Sequence, residues 1–409
     1  MSTTQRYDLY SHEFRTAAYE TYARMREETP VHLQPGLDGE TPIWFVTRYD
    51  DVVALLSDNE RFVVDPQLAF TPAEFEERRA QLAAVDERLN ENLLSKDGDD
   101  HRRLRRLVSK AFTPRMVQQL RPRIQEVADE LIDRVADRGS MELVDDYAFP
   151  LPITVIAELL GIPAGDQRSF REWSNTFVTP ALTPELQDVA ARHTEEFVAY
   201  LDDLFARRRA EPADDLVSAL VQAEDAGDRL SENELYSMVV LLIVAGHETT
   251  VSLITNAVHA LLSNPDQLAE LRADPSLLPA AVEELLRYDS PVERTITRWA
   301  AADVELGGET ISRGDFVIGV IGSANRDPSQ FADADALDLR RDAGKHVGFG
   351  RGPHFCLGAP LARLETEIAL ETLFRRLPTL RLSIAEDDLY WRPIPLFRSL
   401  SSLPVAWDT

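Results

Sequence analysis

Cysteine is nearly missing from this chain, with one thiol in 409 residues. That excludes an internal disulfide and any zinc site built on several thiolates. Basic charge is also scarce: 43 Lys and Arg stand against 70 Asp and Glu, a net charge of −27. Nucleic acid and anionic membrane surfaces are therefore not expected as partners. Long apolar runs are absent. The longest, 238–245, has eight residues, against the roughly 20 that a bilayer span needs. The opening Met-Ser-Thr-Thr-Gln-Arg-Tyr-Asp has no apolar signal region, so a cytoplasmic location is expected. No Gly/Ser/Pro-rich linker interrupts the chain, and one continuous unit, 1–409, is expected although the length would allow two or three domains.

What is present gathers around the one thiol. Cys356 follows His346-Val-Gly-Phe349-Gly350-Arg-Gly352-Pro-His354-Phe and precedes Leu-Gly358-Ala-Pro360-Leu-Ala-Arg363. A lone cysteine is ordinarily a small buried hydrophobe. Here a glycine-rich loop precedes it and a helical run leaves it, so the sulfur is expected at a helix N-terminus, where N–H groups favour thiolate. Gly352 and Gly358 would permit close backbone approach, and Pro360 suits a first helical turn.

Three further stretches break local rules. From 101 to 123 there are eight basic residues and no acidic one, in an otherwise acidic chain. A solvated helix face is the plain reading; a docking surface for an anionic partner is the functional one. Second, Ser231-x-x-Glu234 is a capping box opening a helix that ends at Asn264-Pro265, about 33 residues or ~50 Å. Inside it, Ala245-Gly246-His247-Glu248-Thr249-Thr250 places a glycine and two threonines mid-helix, costing on the order of 1 kcal/mol for the glycine alone. Packing, with threonines bonding back to i−4 carbonyls, is one explanation; a functional site is the other. Third, Glu284-Leu-Leu-Arg287 is an i,i+3 ion pair, a pattern that Glu76-Glu-Arg-Arg79 shares.

Phe349-x-x-Gly352-x-x-x-Cys356-x-Gly358 resembles the haem-binding loop of the cytochrome P-450 family, and the other stretches resemble its remaining motifs in order, from about residue 24 to 405. The relatives it most resembles are soluble bacterial enzymes, especially actinobacterial macrolide and polyketide hydroxylases. The resemblance implies a mainly α fold with a large helical part and a smaller β-rich part. Haem b would lie between the long oxygen-binding helix and the helix after the Cys loop. It also implies that Cys356 ligates iron and pushes electron density toward O–O cleavage, with Phe349, Ala245, Gly246 and Gly358 around the cofactor. His101 and Arg105, an H-x-x-x-R pair sharing a helix face, would bind haem propionates with Arg298 and His354. Glu248 and Thr249 would deliver protons from a helix whose distortion opens a groove for dioxygen. Glu284, Arg287 and Arg341, or Arg340 in its place, would form a structural salt bridge. His247 and His259 are read as packing or surface residues. One departure is Asp97-Gly-Asp-Asp before His101, where such relatives usually carry Asp-Pro-Pro.

The implied activity is that of a haem-thiolate monooxygenase acting on a bulky apolar substrate such as a macrolide, steroid or terpenoid. A separate ferredoxin would supply electrons, docking on 101–123 of a monomeric protein. Met238, Leu241 and Leu242 share a helix face with Thr249 and, with Val292, Ile296 and Leu396, are the expected pocket residues. The segments 62–100 and 179–184 would form the pocket's roof and lid. A peroxide-driven peroxygenase and a non-catalytic haem sensor are the competing readings.

Overall fold

The computed structural model describes residues 7–82, 91–178, 183–225 and 227–409. Helices dominate, and the largest sheet joins β1 (Val31–Pro35), β2 (Pro42–Val46), β3 (Phe62–Val63), β4 (Arg298–Ala300) and β5 (Phe316–Gly319) in the order β1-β2-β5-β4-β3. β2 and β5 are parallel; the other neighbours are antiparallel. β1 and β2 form a hairpin. A tight turn joins Val304–Leu306 to Glu309–Ile311, where Gly307 and Gly308 both take positive φ, as a two-residue hairpin loop requires. The chain opens with two helices, His12–Thr16 and Ala18–Glu28. Within the expected roof segment a charged helix is described as Pro72–Leu82, and most of the expected lid, 179–182, lies outside the described residues.

The long helix, Glu232–Ser263, is the axis of the helical part. Both halves of its capping box form: Ser231 Oγ accepts from the Glu234 N–H, and Glu234 accepts from the Ser231 N–H. Its composition and length would suffice for a bilayer, but two thirds of its most apolar window is buried inside the protein. It packs against Pro150–Leu159, Leu278–Tyr288 and Ala359–Arg376. The helix is unbroken across 245–250, so the expected distortion does not interrupt it. Gly246 faces Ile156, whose Cδ1 would lie 3.2 Å from an added Cβ; close packing accounts for that glycine.

Two buried charge networks hold the frame. Glu284 meets Arg287 at 2.7 Å and Arg341 at 3.2 Å. Arg287 also donates to the carbonyls of Asn325, Ala334 and Ala336, while Arg340 turns out to Glu270. The second network ties the chain's distant parts. Arg15, with its side chain 2 % exposed, pairs with Glu293 and donates to the carbonyls of Ile394 and Phe397. Arg398 pairs with Asp289 at 2.6 Å and donates to the Arg15 carbonyl.

Candidate active site

The loop before the cysteine closes on itself: the Cys356 N–H donates to the Phe349 carbonyl at 2.9 Å and Phe355 to Gly352. Gly352 has a φ of +70°, and a Cβ there would lie 2.9 Å from the Leu56 carbonyl oxygen, so this turn needs glycine. Gly358 has an ordinary φ of −79°. A Cβ there would only make ordinary contact with the sulfur, at 3.8 Å, so neither backbone strain nor a clash within the protein demands this glycine. Phe349 stacks its ring under Arg363, 4.5 Å from the guanidinium carbon.

Solvent reaches Cys356 on one side, while protein crowds the rest of it. Desolvation pushes the thiol up, outweighing the N–H groups of Gly358 and Ala359 and the charges of Arg105 and Arg363, all of which pull it down. The expectation that the helix start alone would favour thiolate is therefore corrected: burial wins. A cation bound at the sulfur reverses the balance, since a coordinating thiol is deprotonated outright.

Arg105, whose charge acts on Cys356, also acts on a cluster of basic side chains. The rings of His101 and His354 are 4.3 Å apart. Arg298, placed by the β3–β4 pairing, donates to the Phe62 carbonyl at 2.9 Å, and burial lowers its pKa. His101 is held near a pKa of about 4, first by burial and then by His354 and Arg105. Two buried nitrogens, Nε2 of His101 and Nε of Arg298, have no protein partner among the described residues. His354 does have one: its Nε2 meets Asp97 at 2.8 Å. Asp97 also accepts from the Val64 and Asp65 N–H groups, which together with His354 outweigh its burial and lower its pKa. Unpaired buried donors such as those of His101 and Arg298 call for anionic acceptors.

The long helix supplies the opposite element. Ala245 is exposed in the middle of this otherwise buried helix, so open space lies against it. Thr249 Oγ donates back to the Ala245 carbonyl at 2.8 Å. Glu248, with 3 % of its side chain exposed, pairs with Arg392. His247 is packed as expected, with Nδ1 at 2.8 Å from the Ile243 carbonyl and Nε2 at 3.3 Å from Ser174 Oγ; His259 meets Glu386 at 3.4 Å. Of the expected pocket residues, Leu241, Leu242, Val292, Ile296 and Leu396 are partly exposed. Met238 is fully buried in the core, so it is removed from that set; helical spacing cannot tell the core side of a face from a cavity. Ile296 borders a cleft of about 350 Å³ that Val64, Phe75, Asn92, Leu94 and Lys96 also line.

A family model described as Cytochrome P450 matches residues 166–383. The chain belongs to the cytochrome P450 family. A cytochrome P450 of Bacillus subtilis (strain 168) is 46 % identical over 98 % of this chain and 96 % of its own. The 6-deoxyerythronolide B hydroxylase of Saccharopolyspora erythraea is 44 % identical over 98 % of both chains. The crystal structure of the myxobacterial cytochrome P450 CYP267B1 in complex with myristic acid superposes with a TM-score of 0.91 at 44 % identity, covering 98 % of this chain and 99 % of that one. The fold is that of a P450, the chain is a P450 monooxygenase, and its cofactor is haem b.

The residues suit a P450 haem: a sulfur open on one side, and unpaired donors of His101 and Arg298 suited to two propionates. Sequence reading missed two participants. Arg392 reaches Glu248 from 144 positions away, beyond any local pattern. Asp97 was visible as part of an unusual helix start, but its bond to His354 was not.

Proposed function

We propose that this P450 inserts one oxygen atom from dioxygen into a bulky apolar small molecule, by hydroxylation or epoxidation. The observation that carries this reading is that two packed helices each leave an opening in an otherwise apolar interior: the exposed Cys356 sulfur just before one, and the exposed Ala245 and half-exposed Thr249 within the other. Haem b, ligated by Cys356, supplies the oxygen-activating iron. The chain's own residues do the rest. His101, Arg105, Arg298 and His354 hold the propionates, and Asp97 fixes the His354 ring. Glu248 gives up protons that Thr249 passes on, while the surrounding apolar side chains limit water. Leu241, Leu242, Val292, Ile296 and Leu396 line the substrate side. One relative hydroxylates 6-deoxyerythronolide B and a structural neighbour holds myristic acid, so a macrolide or another long apolar skeleton is the substrate class.

Electrons come from a separate acidic ferredoxin that docks on the basic helix of a monomeric, cytoplasmic protein. Arg103 turns to Glu234 and Asp228, Arg121 to Glu367 and Arg123 to Glu158. Arg102, which also pairs with Asp99 of its own helix, Arg106 and Lys110 are four residues apart and all exposed; with the exposed Arg115 beyond them, they are the side chains that face a partner.

Titration of the holoprotein with macrolactones, steroids, terpenoids and fatty acids, followed at the Soret band, tests the reading. A shift to high-spin iron with the true class, followed by product when ferredoxin and reductase are added, is expected. Product from peroxide alone, unchanged in Thr249→Ala, would establish the peroxygenase reading instead.

A further inference from the structure

A chain of contacts ties the Cys loop to the helix Leu278–Tyr288 that carries the buried frame. It starts at His346, whose side chain is 3 % exposed. The Gly348 N–H donates to Nδ1 of His346 at 3.0 Å, so the ring proton sits on Nε2, which meets Glu283 at 3.0 Å. The same carboxylate takes two bonds from Arg363, from Nε at 2.5 Å and from Nη2 at 2.9 Å, the forked arrangement that fixes a guanidinium in place. Arg363 lies over the Phe349 ring, and the Phe349 carbonyl accepts the Cys356 N–H. Burial pushes the Glu283 carboxyl up, but Arg363 and His346 outweigh it and hold it at about 2, so this acid is ionised at any working pH. Two cations act on Cys356, Arg105 and Arg363. Arg105 is given to a propionate; Arg363 has a carboxylate of the protein's own.

We propose that Glu283 is a fixed counter-charge that limits the pull of Arg363 on the Cys356 sulfur and so lowers the reduction potential of the iron which that sulfur ligates. The inference rests on Cys356 as the iron ligand. In reduction one electron leaves the ferredoxin and arrives on the iron, with no bond made or broken, so the site gains one negative charge. A guanidinium close by favours that gain, and a carboxylate opposes it. Held together, Arg363 and Glu283 largely cancel as seen from the sulfur; either one alone would not. Their side chains are 33 % and 24 % exposed, so salt screens them only in part. Glu283 is thus a positioning residue that acts through Arg363, and its own backbone is steadied by the neighbouring Glu284 and Arg287 pair.

A dye-coupled redox titration of the substrate-free holoprotein with dithionite tests this without turnover. At the potential where the wild type is half reduced, Glu283→Gln should raise the ratio of ferrous to ferric iron about fivefold and Arg363→Gln should lower it about fivefold. Glu283→Gln/Arg363→Gln, which removes both charges, should return to within about twofold of wild type. Glu283→Asp keeps the charge and should also stay within about twofold. Single variants that shift in the same direction, or a Glu283→Gln ratio within about twofold of wild type, would overturn the proposal. So would a shift in Glu283→Asp as large as that in Glu283→Gln, because position rather than charge would then be the cause. Should Arg363→Gln take up no haem, the two Glu283 variants carry the test. The carbon monoxide spectrum of the reduced wild type checks the ligand separately. A haem band without the thiolate signature overturns Cys356 as ligand and the proposal with it, whereas a thiolate band with unmoved variant potentials overturns the proposal alone.

Discussion

Two carboxylate–guanidinium pairs in this molecule are chemically alike and behave as different devices. Glu284 and Arg287 are both fully buried, and Arg287 is held by three carbonyls besides its acid. Arg341 adds a second cation to the same carboxylate. Every hydrogen-bonding group has a fixed partner, and moving any one would leave a charge stranded in the interior. Glu248 is as deeply buried, yet its partner Arg392 keeps a quarter of its side chain in solvent. An arginine that can leave for water does so at modest cost; an arginine that cannot is part of the scaffold. The first pair fixes the frame behind the cysteine loop. The second sits where a charge has to move.

The sharpest way to break that contrast is Arg287→Met, which strands Glu284 beside Arg341 alone. A loss of about 3–5 kcal/mol is expected, read as a large drop in melting temperature and in haem-containing yield. Melting close to wild type would show that the frame pair is no more essential than the mobile one. Next in size, Glu248→Gln should lower turnover about 10²-fold while leaving haem content and melting nearly unchanged, because the freed Arg392 can turn to solvent. Equal damage to folding and turnover would place Glu248 in the frame as well.

A third buried acid sharpens the comparison because it has no cation. Glu365, on the helix after Cys356, is 1 % exposed. Burial raises its pKa to about 8, with Thr250 pulling it down slightly. The Thr250 hydroxyl itself donates to the Gly246 carbonyl, and both Glu365 oxygens lack a partner among the described residues. A folded pKa above the unfolded one means a contribution that is complete below about pH 4.5 and lost as pH rises through about 8, at ~1.4 kcal/mol per pH unit. Urea melts should therefore show Glu365→Gln gaining stability over wild type at pH 8.5 and gaining little at pH 4.5. A gap that does not widen with pH would mean that Glu365 is already ionised in the native protein.

The smallest effects belong to the surface. Reversing Arg102, Arg106 and Lys110 together should reduce kcat/KM for the ferredoxin about tenfold at low salt, fading as ionic strength rises. Arg103→Gln should leave docking unchanged and cost under about 1 kcal/mol of stability, since its pair with Glu234 is partly exposed. The opposite result from the two variants would return Arg103 to the docking surface.

Much of the site was legible because its chemistry is local in sequence. The cysteine loop, the capping box and the i,i+3 pair each lie within a few residues, and backbone geometry converts such spacing directly into contact. Arg105 and His101 follow the same logic. What could not be read joins distant segments. Arg392 to Glu248 and Asp97 to His354 depend on how the chain returns, and no periodicity encodes that. Met238 failed for a related reason: a helix face shared with Thr249 is apolar all along, and only the packing partner decides whether a side chain meets protein or open space. The basic run was visible as charge, but the pairing of Arg103, Arg121 and Arg123 depends on Asp228, Glu234, Glu158 and Glu367, which distant parts of the chain bring in.

The knot of Arg15, Glu293 and Arg398 has a consequence for how the protein comes off the ribosome. Leu396 has its carbonyl held by the Glu293 and Arg294 N–H groups, and Arg15 clamps the flanking turn through Ile394 and Phe397. The first strands end at Val46 and the long helix at Ser263, so both emerge well before that turn does. Until synthesis passes Arg398, the buried Arg15 lacks its carbonyl partners, and Asp289 lacks its guanidinium. The knot therefore closes only after the strands and the long helix it braces have been made, an order set by the positions of residues along the message.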